Sequence, residues 1–206
     1  MPLLLNVPYC EKDQAKSLGA KWSTELKRWY VTDRKDYSKF VRWLDGNTVV
    51  CDQIYLVEGM KTCYACKKMT RVICFGIEKC FDISLQEDEL SSKTIHLASI
   101  GAGIPSALAE ELKKRYDYKR GFSKTVGYSY NANHCCHCKR MQGNYFLFDE
   151  VDSPFFVDGK ATAEKLTLHR IVLPYDICVS ADVGYGTEDH LIKKYAKLLD
   201  SDLQWK

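Results

Sequence analysis

Cys63-Tyr-Ala-Cys66-Lys67-Lys68 and Cys135-Cys-His-Cys138-Lys139-Arg140 are the two stretches on which the reading of this chain turns. Two residues between paired cysteines form a tight turn that aims both sulfurs at one point. Two such turns supply the four thiolates of a tetrahedral site with Zn–S bonds of about 2.3 Å. Each pair is followed by two cations, which offset part of the negative charge of a tetrathiolate. The pattern predicts a structural Zn2+ held by Cys63, Cys66, Cys135 and Cys138. Cys136, His134 and His137 crowd the second pair and offer a substitute fourth ligand, which would make a three-Cys, one-His site. A catalytic zinc would instead keep an open position, with His or carboxylate among its ligands. The 68 residues between Cys66 and Cys135 exceed the roughly 15 to 20 of common zinc ribbons, so the intervening chain is a structured excursion.

At 206 residues the chain can bury a real core as one or two domains and does not need disulfides to fold. Ten cysteines without an apolar leader fit a reducing, cytoplasmic setting, where clustered Cys means metal more often than disulfide. Met1-Pro-Leu-Leu-Leu is too short for a signal segment, being interrupted by Asn6 and Pro8, and no apolar run is long enough to span a membrane. The net charge of +3 says little by itself; its distribution says more. Residues 1–44 carry nine Lys/Arg against five Asp/Glu, and 119–140 carry five Lys/Arg and no acid. Aromatic residues lie among these cations: Trp22, Trp29, Tyr30, Phe122, Tyr128 and Tyr130. Such a pattern suits contact with a phosphate backbone and stacking on bases, and equally a solvated face with ordinary core aromatics.

The expected elements begin with a strand over Leu3–Val7 and a helix over 11–18 that ends at Gly19. Trp22 follows as an anchor, then a Ser23–Leu26 turn and a strand over Lys27–Val31. Tyr37, Phe40, Val41 and Leu44 recur at helical spacing before Gly46, which predicts a second helix and a β-α-β-α unit over 1–46. Residues 47–206 read as a β-rich zinc-ribbon domain. Strands over Val49–Val57 and Thr70–Gly76 flank the first cysteine pair, and strands over Ser123–Tyr130 and Asn144–Phe148 flank the second. A helical insert spans about 86–120: a polar loop over 86–93, then a helix opened by Pro105, with Leu108, Leu112 and Tyr116 as its apolar stripe. Strands over Leu166–Leu173 and at Ile177–Val179 precede a closing helix over Thr187–Leu199 capped by Thr187. The fold class is α+β.

The N-terminal residues carry a resemblance. Asn6-Val-Pro-Tyr9, Glu11-Lys-Asp13, Leu18-Gly-Ala-Lys-Trp22 and Trp29-Tyr-Val31 resemble a small module of uncharacterised function, over residues 3–44, found in plasmid and phage proteins beside primase and antirestriction domains. The resemblance implies a mobile-element or DNA-metabolism setting and supplies no reaction. Cys135-x2-Cys138 followed by Gln142-Gly-Asn144, Phe146-Leu-Phe148 and Pro154-Phe-Phe156 is similar to the second half of bacterial and phage zinc-ribbon proteins, whose activity is mostly unassigned.

No catalytic set emerges. Gly101-Ala-Gly-Ile-Pro105 precedes a helix as phosphate cradles do, but lacks the Gly-Lys-Ser/Thr ending. His169 and His190 have Asp176, Glu188 and Asp189 near them in sequence only. Cys74 and Cys178 sit in apolar strands, and Cys10 has no adjacent base. The chain therefore reads as a non-enzymatic accessory protein of a mobile element or phage that binds nucleic acid, with DNA ranked ahead of RNA. The expected contacts are Lys21, Trp22, Lys27, Arg28, Trp29 and Tyr30 in the module, with Lys67, Lys68, Lys124, Lys139 and Arg140 around the cysteine turns. Trp22 and Trp29 have a second reading as core of the module. The competing function is protein binding, as an inhibitor or adaptor acting on a host defence or replication protein. A metal-dependent nuclease ranks third, for want of an acidic cluster that would hold a hard cation.

Overall fold

The structure, a computed structural model, describes residues 1–83, 90–201 and 203. It is a mixed α+β, strand-rich architecture with short helices. The first stretch contains β1 (Leu3–Leu5), a 3-10 turn (Tyr9–Glu11), α1 (Lys12–Ser17), β2 (Lys21–Ser23), β3 (Arg28–Val31) and a ten-residue 3-10 helix (Arg34–Trp43). The strands form an antiparallel sheet in the order β1-β3-β2. β2, where only an anchoring Trp22 was expected, makes this stretch a three-stranded sheet with two helical pieces. α1 ends as its sequence predicts: Gly19 takes φ +101°, with Gly19 N–H bonded to Lys16 C=O and Ala20 N–H to Ala15 C=O, a glycine-terminated C-cap.

The second helix departs from expectation in an informative way. In a 3-10 helix, residues three apart eclipse one another. Tyr37, Phe40 and Trp43 are therefore the buried row, and Val41, placed inward by an α-helical period, is 48% exposed. Asp33 caps the helix by accepting from Lys35 N–H at 3.0 Å. The helix stops at Leu44, and Gly46 passes so close to the backbone at Val179 that a Cβ there would lie 2.0 Å from the Val179 carbonyl carbon.

The second stretch is built on β4 (Thr48–Val50), β5 (Gln53–Thr62), β6 (Met69–Asp82) and β7 (Leu90–Ala102), then α2 (Ser106–Tyr116), β8 (Lys119–Phe122), β9 (Ser129–His134) and β10 (Met141–Gln142). These are followed by α3 (Tyr145–Phe148), α4 (Lys160–Ala163), β11 (Thr167–Val172), β12 (Ile177–Val183), α5 (His190–Tyr195) and β13 (Lys197–Asp200). Seven strands run β13-β11-β5-β6-β4-β12-β7, and β6 also pairs with β7, so that β6, β4, β12 and β7 close into a ring of ladders. β6 is buried on both sides, which is why residues 72–77 are continuously apolar. Ile73, Phe75 and Ile77 face the core that also receives Leu108 and Leu112 of α2; Val72 and Cys74 face a second core with Leu147, Phe155 and Ile192.

Five expectations in this stretch are corrected, the first being the strand over Ser123–Tyr130: residues 123–128 form a turn and β9 starts only at Ser129. The insert is not mainly helical: α2 is its one helix among the described residues, and β7 is a thirteen-residue strand of the main sheet. Residues 90–93 of the expected loop lie in β7, and 86–89 are outside the described residues. Asn144–Phe148 forms a helical turn rather than a strand. The closing helix is only His190–Tyr195, and Lys197–Asp200 becomes β13, parallel to β11. Pro105 is the N-cap of α2 and not its first helical residue. No helix among the described residues is long and apolar enough to cross a membrane.

One ion pair ties α5 to the sheet. Glu78 accepts from Lys193, from Tyr55 Oη and from Gln53, the last two at 2.9 Å. Burial would raise its carboxyl, but these donors and the Lys193 charge more than offset that and hold it below its ordinary value. A lowered carboxyl pKa contributes stability above the unfolded value of 4.5, and the contribution is lost as pH falls through the folded value. Glu78→Gln should therefore cost about 2 kcal/mol at pH 7. The deficit should vanish in acid, read by urea unfolding of parent and variant from pH 7 down to pH 3.

Candidate metal centre

The two cysteine turns occupy equivalent positions in two hairpins: Cys63–Lys68 joins β5 to β6, and Cys135–Arg140 joins β9 to β10. Their backbones repeat one another. Cys63 N–H bonds to Lys68 C=O and Lys67 N–H to Cys63 C=O; Cys135 N–H bonds to Arg140 C=O and Lys139 N–H to Cys135 C=O, all between 2.9 and 3.0 Å. Lys67 and Lys139 both take positive φ, 59° and 62°, the left-handed step that turns the chain back after the second cysteine.

The four sulfurs meet. Cys63 Sγ lies 3.6 Å from Cys138 Sγ and Cys66 Sγ 3.7 Å from Cys135 Sγ, and all four are within 4.8 Å of one another. A tetrahedron with metal–sulfur bonds of about 2.3 Å has edges of about 3.8 Å, so the spacing fits a single ion. The electrostatics fit as well. Burial works against ionisation of Cys63, but backbone N–H groups of Cys66 and Ala65 aimed at its sulfur bring it down to about 6. Cys135 is lowered in the same way by Cys138 and His137 N–H groups, against its burial. Although Lys68 N–H favours its thiolate, Cys66 is pushed up to about 11 by burial and by the other three sulfurs. Four thiols at this spacing cannot all ionise together unless a cation joins them.

Neutral contacts hold the second hairpin against the first. Asn133, buried in β9, accepts from Ile73 N–H at 2.7 Å and donates to Ile73 C=O at 2.8 Å, so its amide completes a ladder position on β6. Thr70 Oγ1 accepts from Cys136 N–H at 3.1 Å. Gln142 donates to Arg140 C=O at 2.9 Å and approaches Cys63 Sγ at 3.5 Å. Asn133 was missed in the sequence, and Gln142 was noted only as part of a motif and not as a contact, because a buried amide inside a polar stretch has no periodic signature. The alternative ligands are engaged elsewhere: His134 Nδ1 with Ala132 C=O, His137 Nε2 with Met69 C=O, and Cys136, exposed, with Thr70.

The expected nucleic-acid contacts divide. Leu5 pairs with Trp29 and Trp29 with Trp22, placing both indoles on the face that carries the buried Leu3, Leu5 and Val31. Trp29 packs on that core, and Trp22, its ring 5.5 Å from Trp29, is 49% exposed at the sheet edge. Lys21 and Tyr30 lie on the opposite face. Lys27 sits in the β2–β3 turn, and the Arg28 guanidinium is bonded to Asn6 and to Leu5 C=O. Around the cysteine turns Lys67, Lys68, Lys124 and Arg140 are exposed, and none forms an ion pair among the described residues; Lys139 pairs with Asp117 at 3.2 Å. The histidines do not pair with their sequence-adjacent acids: His169 meets Glu58 at 3.0 Å, and Asp189 meets His96 at 2.9 Å. Cys74 and Cys178 are buried, which pushes both thiols up.

Residues 3–45 match a family described as a domain of unknown function (DUF5710). The same segment is similar to two proteins of Escherichia coli named DNA primase TraC. One is 50% identical over 42 residues, 20% of this chain and 3% of the relative; the other is 46% identical over 39 residues, 19% of this chain and 4% of the relative. The chain thus spans a few per cent of the length of these relatives, and the match is to the small sheet alone. Their name agrees with the company expected for the module from its Pro-Tyr and Leu-Gly-Ala-Lys-Trp residues. No solved structure matches the chain.

The geometry makes the ligand set testable. Elemental analysis of the purified chain should find one metal ion per molecule. Cys63→Ser and Cys135→Ser should each lose it together with a cooperative thermal transition, whereas Cys136→Ser should retain both.

Proposed function

We propose that this chain is a non-enzymatic accessory protein of a mobile element that binds nucleic acid, with its two hairpins fastened by a structural zinc. The observation that carries the reading is the convergence of four thiols from turns 68 residues apart in the chain. Cys63, Cys66, Cys135 and Cys138 would hold the ion, and an all-thiolate tetrahedral set favours zinc. The bound ion supplies a crosslink and charge balance. The residues that then face outward do the work of recognition.

The nucleic-acid reading is supported by the cations that the metal centre presents. Lys67, Lys68 and Arg140 project from rigid turns into solvent without acidic partners among the described residues, as phosphate contacts should. The DUF5710 segment supports it too, since the relatives that share it are named DNA primases; this ranks DNA ahead of RNA. Residues 1–46 and 47–206 are read as two functional parts, with the first as the portable one. A cytoplasmic location suits ten cysteines held as thiols.

Binding to a mixed-sequence DNA, followed by fluorescence anisotropy over a series of salt concentrations, tests the proposal. Affinity should fall steeply with salt, and Lys67→Ala with Lys68→Ala should reduce the slope of log K against log salt by about 1.5 to 2. Absence of binding at low salt would overturn the reading in favour of a protein partner.

A further inference from the structure

Beside the second cysteine hairpin, the end of β9 and the segment 143–149 face each other across a groove of about 550 Å3. One wall carries Tyr128 and Tyr130, whose ring centroids are 5.9 Å apart; the other carries Tyr145 and Phe146, 5.5 Å apart. Tyr128 and Tyr145 are each 61% exposed and Phe146 is 50% exposed. Gly143 lies between the walls, where a Cβ would touch both at ordinary contact distance, 3.6 Å from the Phe146 ring and 3.8 Å from Tyr130 Oη. Isolated exposed apolar residues need no explanation, but aromatic rings gathered in one concavity mark a binding surface.

What surrounds the rings says what they bind. Asn131 lines the groove and also an adjoining depression of about 340 Å3 that contains Lys113, Lys119 and Arg120. Lys113 pairs with Glu110 and Lys119 with Asp117, but Arg120 of the depression and Lys124, between the groove residues Ser123 and Thr125, are exposed and form no ion pair among the described residues, and the whole stretch 119–140 lacks an acid. Rings next to unpaired cations suit bases joined by phosphates. The acids of the site come from other segments: Glu110 lines the depression, and Asp149 and Asp182 lie in the groove itself, where a carboxylate accepts from the ring N–H or amino group of an unpaired base. A duplex keeps its base faces stacked inside, so rings recessed in a groove can reach them only on an unpaired strand.

We infer that this groove seats a single strand of DNA, with bases on Tyr128, Tyr145 and Phe146 and phosphates on Arg120 and Lys124. The inference rests on the nucleic-acid reading above and assigns it a strand type and a face. Both walls are reached through the cysteine turn: Tyr128, just before β9, and Tyr130, on it, precede Cys135, while Tyr145 and Phe146 follow Cys138 after β10. The metal centre is therefore the hinge post from which the groove is built.

The test uses the full chain with its metal and an oligothymidylate of about 15 nucleotides, against a duplex and an abasic strand of the same length. Anisotropy should show the oligothymidylate bound at least about ten-fold more tightly than either. Tyr128→Leu with Phe146→Leu, which keeps apolar bulk and removes the flat faces, should weaken it by about 30-fold or more. Circular dichroism verifies the fold of the variant, and Tyr145→Leu alone provides a milder second variant that should weaken binding in the same direction. If the parent binds duplex and single strand alike, or both variants match the parent, the groove assignment falls while the nucleic-acid reading stands. If the parent binds no DNA at low salt, both fall. Tighter binding of oligouridylate than of oligothymidylate overturns the choice of DNA.

Discussion

Four sulfurs within 4.8 Å of one another form the constraint around which the outer half of this structure is organised. Thiols that close repel once ionised, and the chain itself can offset only part of that repulsion. It does so with backbone N–H groups aimed at Cys63 and Cys135, which are strong enough to draw both thiols below their ordinary range. It does not do so for Cys66, which rises instead. The backbone has pre-formed each turn, and what remains is the charge of the assembled set. That residue of repulsion is what a divalent cation held by the four sulfurs would remove, and such binding would be coupled to the docking of one hairpin on the other.

The docking does not rest on the sulfurs alone. Asn133 spans from β9 to the Ile73 peptide with two hydrogen bonds, and Thr70 takes the Cys136 N–H. Each contact lies within a few residues of a cysteine, so neutral hydrogen bonds hold the second turn in position alongside whatever the sulfurs contribute. Such bonds contribute about 1 kcal/mol each when made, and leaving a buried amide unpaired costs more. The consequence is a rigid centre in which His137 and Cys136, although adjacent to the ligands, are turned toward Met69 and Thr70 and away from the sulfur cluster.

How much of this was legible in the sequence follows from which signals are local. The cysteine turns were, because a Cys-x2-Cys step with two following cations encodes its own geometry. So was the end of α1, because only glycine takes the φ of +101° at residue 19 without strain. The 3-10 helix was misread as α because Tyr37, Phe40, Val41 and Leu44 satisfy the α period, while Trp43, which completes the buried row, satisfies only a period of three. β13 was absorbed into the preceding helix, since Lys197–Asp200 carries no turn residue before it and becomes a strand only because β11 offers a free edge. β7 was lost for a different reason: its first residues, 90–93, belong to a polar run that reads as a loop, and although β6 precedes it directly, its other partner β12 lies far away in the chain. Of the candidate site, the ligands were readable and the aromatic groove was not, because its two walls lie on opposite sides of a cysteine turn.

The small N-terminal sheet is coupled to the larger sheet by a contact of unusual chemistry. Asp176, fully buried ahead of β12, accepts from Tyr37 Oη at 3.0 Å, lies 3.6 Å from Arg34, and its backbone N–H bonds to Pro2 C=O. Burial pushes its carboxyl upward despite these donors, and its other oxygen has no hydrogen-bond partner among the described residues. A buried pair of this kind adds little net stability compared with apolar packing. Its value is in orientation, because a carboxylate with one phenol and one guanidinium accepts only one docking pose. The apolar cluster formed by Leu3, Leu5, Tyr37 and Phe40 with Val49, Cys51 and Cys178 supplies the adhesion, and Asp176 supplies the register. The segment shared with much longer proteins thus meets the larger sheet through both kinds of contact, since Leu5, Ala15 and Val31 belong to the same apolar cluster as Val49, Cys51 and Cys178.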